Sequence, residues 1–212
     1  MPKAFILVGA PAVGKKAMIS RVSEMIGSLA VVQSYTDRPA LPGEIEGRDY
    51  FFCSREEFSD LVSREEFLEW VTLPDGRYGT VKSLYYEHLE CGNIPITTMH
   101  PEQYVRIMRD LTEDFVSIFV TPDSADALVS RQLAAGYTPD SVPVQYGWET
   151  QYLSHFHHVI VNSSPSLAAE RLFGIICKYI DESHYVMNLS VDQDDLVQLE
   201  YIVEEGELVC NL

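Results

Sequence analysis

The sequence predicts an α/β protein in which a mostly parallel sheet is covered by helices on both faces. Three observations lead there. Short apolar segments alternate with longer helical patterns along much of the 212 residues, the order that crossover connections between parallel strands require. The apolar segments lack polar–apolar alternation, as expected of strands buried on both faces. The first of them also runs into Gly9-Ala10-Pro11-Ala12-Val13-Gly14-Lys15-Lys16, a glycine turn that opens a helical stretch. In such sheets, ligands bind where strands end in turns of this kind.

Taken in order, strands are expected at residues 4–8, 30–32, 94–98, 116–120 and 159–161. Helices are expected at 17–26, 102–111, 124–134 and 165–180. Two regions break the alternation. Residues 34–90 carry Pro39, Pro42, Gly43, Gly47, Pro74, Gly76 and Gly79 among aromatics that include Tyr50, Phe51, Phe52, Phe58, Phe67 and Trp70. This predicts an inserted β-rich subdomain with one or two short helices. Residues 136–152, with Pro139, Pro143 and Gly147, hold no helix of convincing length and are expected to form a short lid. From Asp181 onward the chain has nine acidic residues and neither Lys nor Arg, yet apolar residues still alternate. A strand or hairpin appendage is expected there, because disorder requires fewer apolar residues. The expected organisation is a core of residues 1–33 and 81–180 containing the lid, a subdomain at 34–80 and an acidic appendage at 181–212.

Hydrophobic residues make up 46% and charged residues 22%, a soluble, globular balance with no signal peptide or membrane-length run. Cys53, Cys91, Cys177 and Cys210 are scattered without a C-x-x-C pair. They read as reduced thiols of a cytoplasmic protein, neither a disulfide frame nor a metal site. His155, His157 and His158 read as loop histidines. The net charge of −17 argues against DNA or RNA as a partner. An anionic ligand must be captured by local cations against the global field. A monomer and a homodimer are both compatible with this chain.

The glycine turn has the G-x-x-x-x-G-K spacing that cradles phosphates: backbone N–H groups turn inward, a helix N-terminus adds positive potential and the lysine reaches terminal phosphates. Residues 9 to 16 and Lys15 in particular are therefore candidates for binding a nucleotide such as ATP. Lys16 stands where a Ser or Thr hydroxyl would bind Mg²⁺.

Further on come Ser34-Tyr-Thr-Asp-Arg-Pro39, Gly43-Glu44, Gly47-Arg-Asp-Tyr-Phe-Phe52, Phe67-Leu-Glu-Trp70 and Arg77-Tyr-Gly-Thr80. This ordered series, with the glycine loop before it and Val159-Ile-Val-Asn162 after it, closely resembles the guanylate kinase family over residues 3–180. The resemblance implies a P-loop NTPase-type fold with an inserted monophosphate-binding domain and a lid. It implies that ATP, with Mg²⁺, is the phosphoryl donor and that Asn162 belongs to the ATP site. It further implies that Ser34, Arg38, Tyr50 and Tyr78 hold the acceptor's phosphate, a guanidinium fork with three hydroxyls suiting a dianion. Glu69, Gly79 and Thr80 would then face the acceptor base, with Thr98 and His100 near it and Arg131 as a lid-region arginine.

The departures from the family pattern are specific. Leu41 stands where a second acceptor-loop arginine is expected, Thr98 and His100 where two aspartates are, and Ala135 and Tyr146 where two lid arginines are. Lys16 stands at the magnesium hydroxyl, where it is a candidate for charge near the donor phosphates, with Arg77 or Lys82 a candidate near the acceptor. One arginine aimed at the transition state of phosphoryl transfer is worth about 10³–10⁵ in rate. Two functions stay open at this point. One is a nucleoside monophosphate kinase acting on GMP, dGMP or a related, modified nucleotide. The other is a catalytically impaired module of the same fold that binds a nucleotide or a phosphorylated partner.

Overall fold

The computed structural model describes residues 4–41, 43–73, 75–109, 111, 114–135 and 153–180, with two short strands at Ile202–Glu204 and Glu207–Val209. The expected lid, with Tyr146, lies outside the described residues.

The main sheet is built around β1 (Ala4–Val8), whose five residues are all buried. Parallel strands flank it on each side: β7 (Ile94–Met99) and β2 (Leu29–Val31) on one, β8 (Phe115–Pro122) and β9 (His158–Asn162) on the other. Alternate β1 side chains serve opposite layers. Phe5 and Leu7 pack with Met18, Ile19 and Val22 of α1 (Lys15–Met25) and with Leu172 and Ile176 of α6 (Pro165–Cys177). Ile6 and Val8 pack with Tyr104 of α4 (Pro101–Ile107) and with Phe119. Both faces are thus covered, as the unbroken apolar run predicts. The 102–111 helix is shorter than expected, and His158 is the first residue of β9 rather than part of the loop before it. His157 accepts the Ser117 N–H at 3.1 Å, and His158 Nε2 lies 2.8 Å from the Tyr179 hydroxyl. Both are structural groups, and no cluster of three metal-binding side chains occurs among the described residues.

A second, four-stranded sheet has the order β4 (Phe51–Phe52), β3 (Tyr35–Thr36), β6 (Gly76–Val81), β5 (Phe67–Leu73). Its apolar side packs Phe67 and Val81 on Phe58 of α2 (Arg55–Ser63). The α2 N-terminus is closed by a reciprocal pair: Ser54 Oγ accepts the Glu57 N–H, and the Glu57 carboxylate accepts that of Ser54. Such a cap meets two otherwise unpaired donors. Arg77, read from sequence as a cation for the acceptor, instead pairs with Asp37 at 2.6 Å and lies 4.6 Å from the Phe58 ring centre. Lys82, likewise weighed for the acceptor, opens α3 (Lys82–Glu90) and donates to the Glu65 carbonyl.

α5 (Ala125–Ala134) follows β8 and starts at Ser124, whose hydroxyl accepts the Ala127 N–H. Ile202–Glu204 (β10) and Glu207–Val209 (β11) pair antiparallel, a hairpin within the appendage expected from residue 181 onward. No helix among the described residues is long and apolar enough to cross a membrane.

Candidate functional site

Because the core strands are parallel, Val8, Met99, Pro122 and Asn162 end on one edge of the sheet, and the glycine loop leaves β1 there. Gly9 donates to the Met99 carbonyl at 3.3 Å. A Cβ at Gly9 would run into the Val120 carbonyl, so the close approach of loop and β8 requires glycine here. Gly14 has φ 102° and caps α1, and its Cβ would strike the Asn162 amide. Asn162 in turn donates to the Val13 carbonyl at 2.8 Å, and Gln132 to that of Pro11 at 3.2 Å. The last residue of β9 and a residue of α5 thus prop the loop open. Lys15 arches back over the loop and donates to the carbonyls of Gly9 and Ala10. Arg131 donates to the Asn162 carbonyl at 3.0 Å, while its Nη1 is buried without a partner among the described residues.

Across from the loop lies a second charged cluster, in which Lys16 pairs with Asp49 and Arg38 with Glu44 and Asp75. Arg38 is 8% exposed. Its Nε donates to the Tyr78 hydroxyl at 2.8 Å, and its two Nη atoms grip the Glu44 carboxylate at 2.6 and 2.7 Å. The fork that matches a phosphate is therefore filled by a carboxylate of similar shape. Arg38 holds Glu44 below the usual carboxylate range. The Tyr50 ring centre lies 5.1 Å from the Arg38 guanidinium and 5.6 Å from the Tyr78 ring. Lys16 extends from α1 into this cluster, its ammonium 4.3 Å from the Tyr50 ring centre and 3.8 Å from Asp49. Burial lowers the Lys16 pKa, with Asp49 opposing. Leu41 is exposed and adds no charge.

The second sheet continues into a polar, buried end. Ser34 Oγ lies 3.2 Å from Thr80 Oγ1. Glu69 faces Thr80 across the β5–β6 ladder and is 5% exposed. Its Oε2 accepts from Gln103 at 2.6 Å, and its Oε1 makes no hydrogen bond of full geometry among the described residues, the Thr80 N–H and hydroxyl lying near the carboxylate without closing one on that oxygen. Burial pushes this carboxyl up to about 7, with Thr80 and Gln103 pulling it back. Gly79 is needed because a Cβ there would strike Phe67 and Trp70. His100 caps α4; burial, with Lys15 nearby, lowers it to about 4 and keeps it neutral. Thr98 sits on β7 two residues before it, paired with Leu7. Gln103 is the residue that sequence reading missed. The capping spacing His100-Pro-Glu-Gln103 was its one local signal. A cavity of about 340 Å³ lies between β5, the end of α2 and α4; Glu69 is among its lining residues, while Lys15, Arg38 and Tyr78 are not.

Comparison with known proteins bears on the family and the fold. The guanylate kinase family profile matches residues 1–177. Guanylate kinases of Hyphomonas neptunium and Nocardia farcinica are 31% and 33% identical to the chain, over 81% and 80% of it and 81% and 91% of their own lengths. The crystal structure of guanylate kinase from Anaplasma phagocytophilum superposes with a TM-score of 0.68 at 24% identity, covering 87% of this chain and 90% of that one, which speaks for the fold.

Proposed function

The chain belongs to the guanylate kinase family, and from that premise we propose that it transfers the γ-phosphoryl group of ATP to GMP, dGMP or a related nucleoside monophosphate. The observation that carries this reading is the meeting of two phosphate-binding clusters: Lys16, next to the loop lysine, reaches over Tyr50 in the Arg38–Tyr78 group. Donor and acceptor phosphates bound at these clusters face each other, the geometry an in-line transfer needs.

In this reading the loop amides from Gly9 to Gly14 and Lys15 take the β- and γ-phosphates. Asn162 and Gln132 hold the loop in shape, and Arg131 Nη1 supplies a further donor. Arg38 exchanges Glu44 for the acceptor phosphate, with Tyr50 and Tyr78 donating beside it. Glu69, Ser34 and Thr80 face the base. The acceptor phosphate is already anionic, so no general base is required, and closure over both ligands excludes water.

Mg²⁺ needs hard oxygen ligands. The chain offers Lys16 at the hydroxyl position and neutral His100 at the end of β7. These residues do not fit a protein-held magnesium ion; any ion taking part comes with the ATP phosphates, and Lys16 supplies fixed charge of its own.

A second reading, a phosphate-binding module without transfer, draws on the same Lys16 and on the Glu44-filled fork. A coupled assay with Mg-ATP and a panel of ribo- and deoxynucleoside monophosphates separates the two. ADP release that depends on one acceptor and disappears in Lys15→Ala supports the kinase. Acceptor binding without ATP binding or turnover supports the module.

A further inference from the structure

Gln103 sits at the third position of α4 and is 6% exposed. The His100 backbone N–H donates to its Oε1 at 2.7 Å. A backbone amide only donates, so the orientation of the Gln103 side chain is fixed, and its NH₂ must face Glu69 Oε2. That carboxylate oxygen is therefore satisfied whether or not a ligand is present. Glu69 Oε1, equally buried, makes no hydrogen bond of full geometry among the described residues.

Resting on the assignment of Glu69 to the acceptor base, we propose that Gln103 is a specificity-determining residue that caps one Glu69 oxygen, so that the site accepts 6-oxopurine nucleoside monophosphates with or without a 2-amino group. A carboxylate that needs both the ring N–H and the exocyclic amine of guanine leaves an oxygen unpaired against hypoxanthine. Such an unpaired buried acceptor makes rejection steep. Here one N–H suffices, and guanine and hypoxanthine both carry it on the ring. Adenine presents a ring lone pair at that position, facing the Oε1 lone pairs, and is rejected. Gln103 touches no reacting atom; it acts through Glu69 by fixing which oxygen is left for the base.

The test is titration calorimetry at pH 8, where Glu69 is mostly ionised, with GMP, IMP, AMP and ribose 5-phosphate. Wild type is expected to bind GMP and IMP within about tenfold of each other, and AMP at least about a hundredfold more weakly. In Gln103→Leu both Glu69 oxygens seek donors, and the GMP-to-IMP ratio is expected to rise about tenfold or more while ribose 5-phosphate affinity stays unchanged. Binding of GMP with IMP weaker by about a hundredfold in wild type overturns the inference and leaves the kinase reading standing. An unmoved ratio in the variant also overturns it. Failure of both GMP and IMP to bind overturns the inference together with the assignment of the acceptor site. The wild-type ratio needs no variant and decides the matter even if Gln103→Leu does not fold.

Discussion

At the residue scale, two carboxylates lie in the proposed acceptor site, and their environments push them in opposite directions. Glu44 is held ionised by Arg38, while Glu69 is pushed up to about 7 by burial. Arg38→Ala is expected to weaken monophosphate binding at least about a hundredfold, since charge-assisted bidentate bonds are lost; calorimetry with GMP reads it, and retained affinity would mean that the acceptor site lies elsewhere. The Glu69 shift has a sign that stability reports. Its folded pKa lies above its ordinary value of 4.5, so the folded state binds more protons between about 4.5 and about 7. Stability therefore falls as pH rises through that window and levels off above it. Glu69→Gln removes this slope, a difference on the order of a few kcal/mol between pH 4.5 and pH 8. Urea titrations of both proteins across that range check it; parallel curves would mean that Glu69 is hydrated.

Elements position these residues through their ends. The glycine loop is shaped by Gly14 at φ 102° and by the Asn162–Val13 bond between residues 149 apart in sequence. Asn162→Ala leaves the Val13 carbonyl without that donor, at a cost of about 1–3 kcal/mol, and is expected to weaken ATP binding together with stability. Thermal melts with and without ATP separate the two effects. The α2 cap is local by contrast: Ser54→Ala is expected to cost about 1 kcal/mol and to leave nucleotide affinity unchanged, read by urea unfolding and GMP titration. A large change in affinity would show that α2 couples to the acceptor site.

On the scale of the whole molecule, the chain carries an excess of 17 negative charges, against which the proposed phosphate site must work. The cations placed at that site are few: Lys15 and Arg131 are half-buried, Arg38 is buried and Lys16 is exposed. Self-repulsion destabilises the compact state at low ionic strength. The melting midpoint is therefore expected to rise as NaCl goes from about 10 mM to about 150 mM, where the Debye length shrinks from roughly 30 to 8 Å. A flat or falling midpoint would mean that attractive ion pairs such as Arg38–Glu44 and Arg77–Asp37 dominate the balance.

The sequence by itself determined the α/β class and the glycine loop, because both are written in contiguous residues: five apolar positions in β1, then glycines at the two places a Cβ cannot go. The ordered series from Ser34 to Thr80 likewise carried the family. Only the tertiary structure decided which partner each polar side chain takes. Arg77 looks like a ligand in sequence and is a brace against Asp37; Lys16 looks like a donor-site residue and leans on the acceptor cluster. Gln103 reads as a helix residue and fixes Glu69 across 34 positions. Hydrogen bonds form over about 3 Å in space, and chain order does not encode which ends of two sheets meet at that distance.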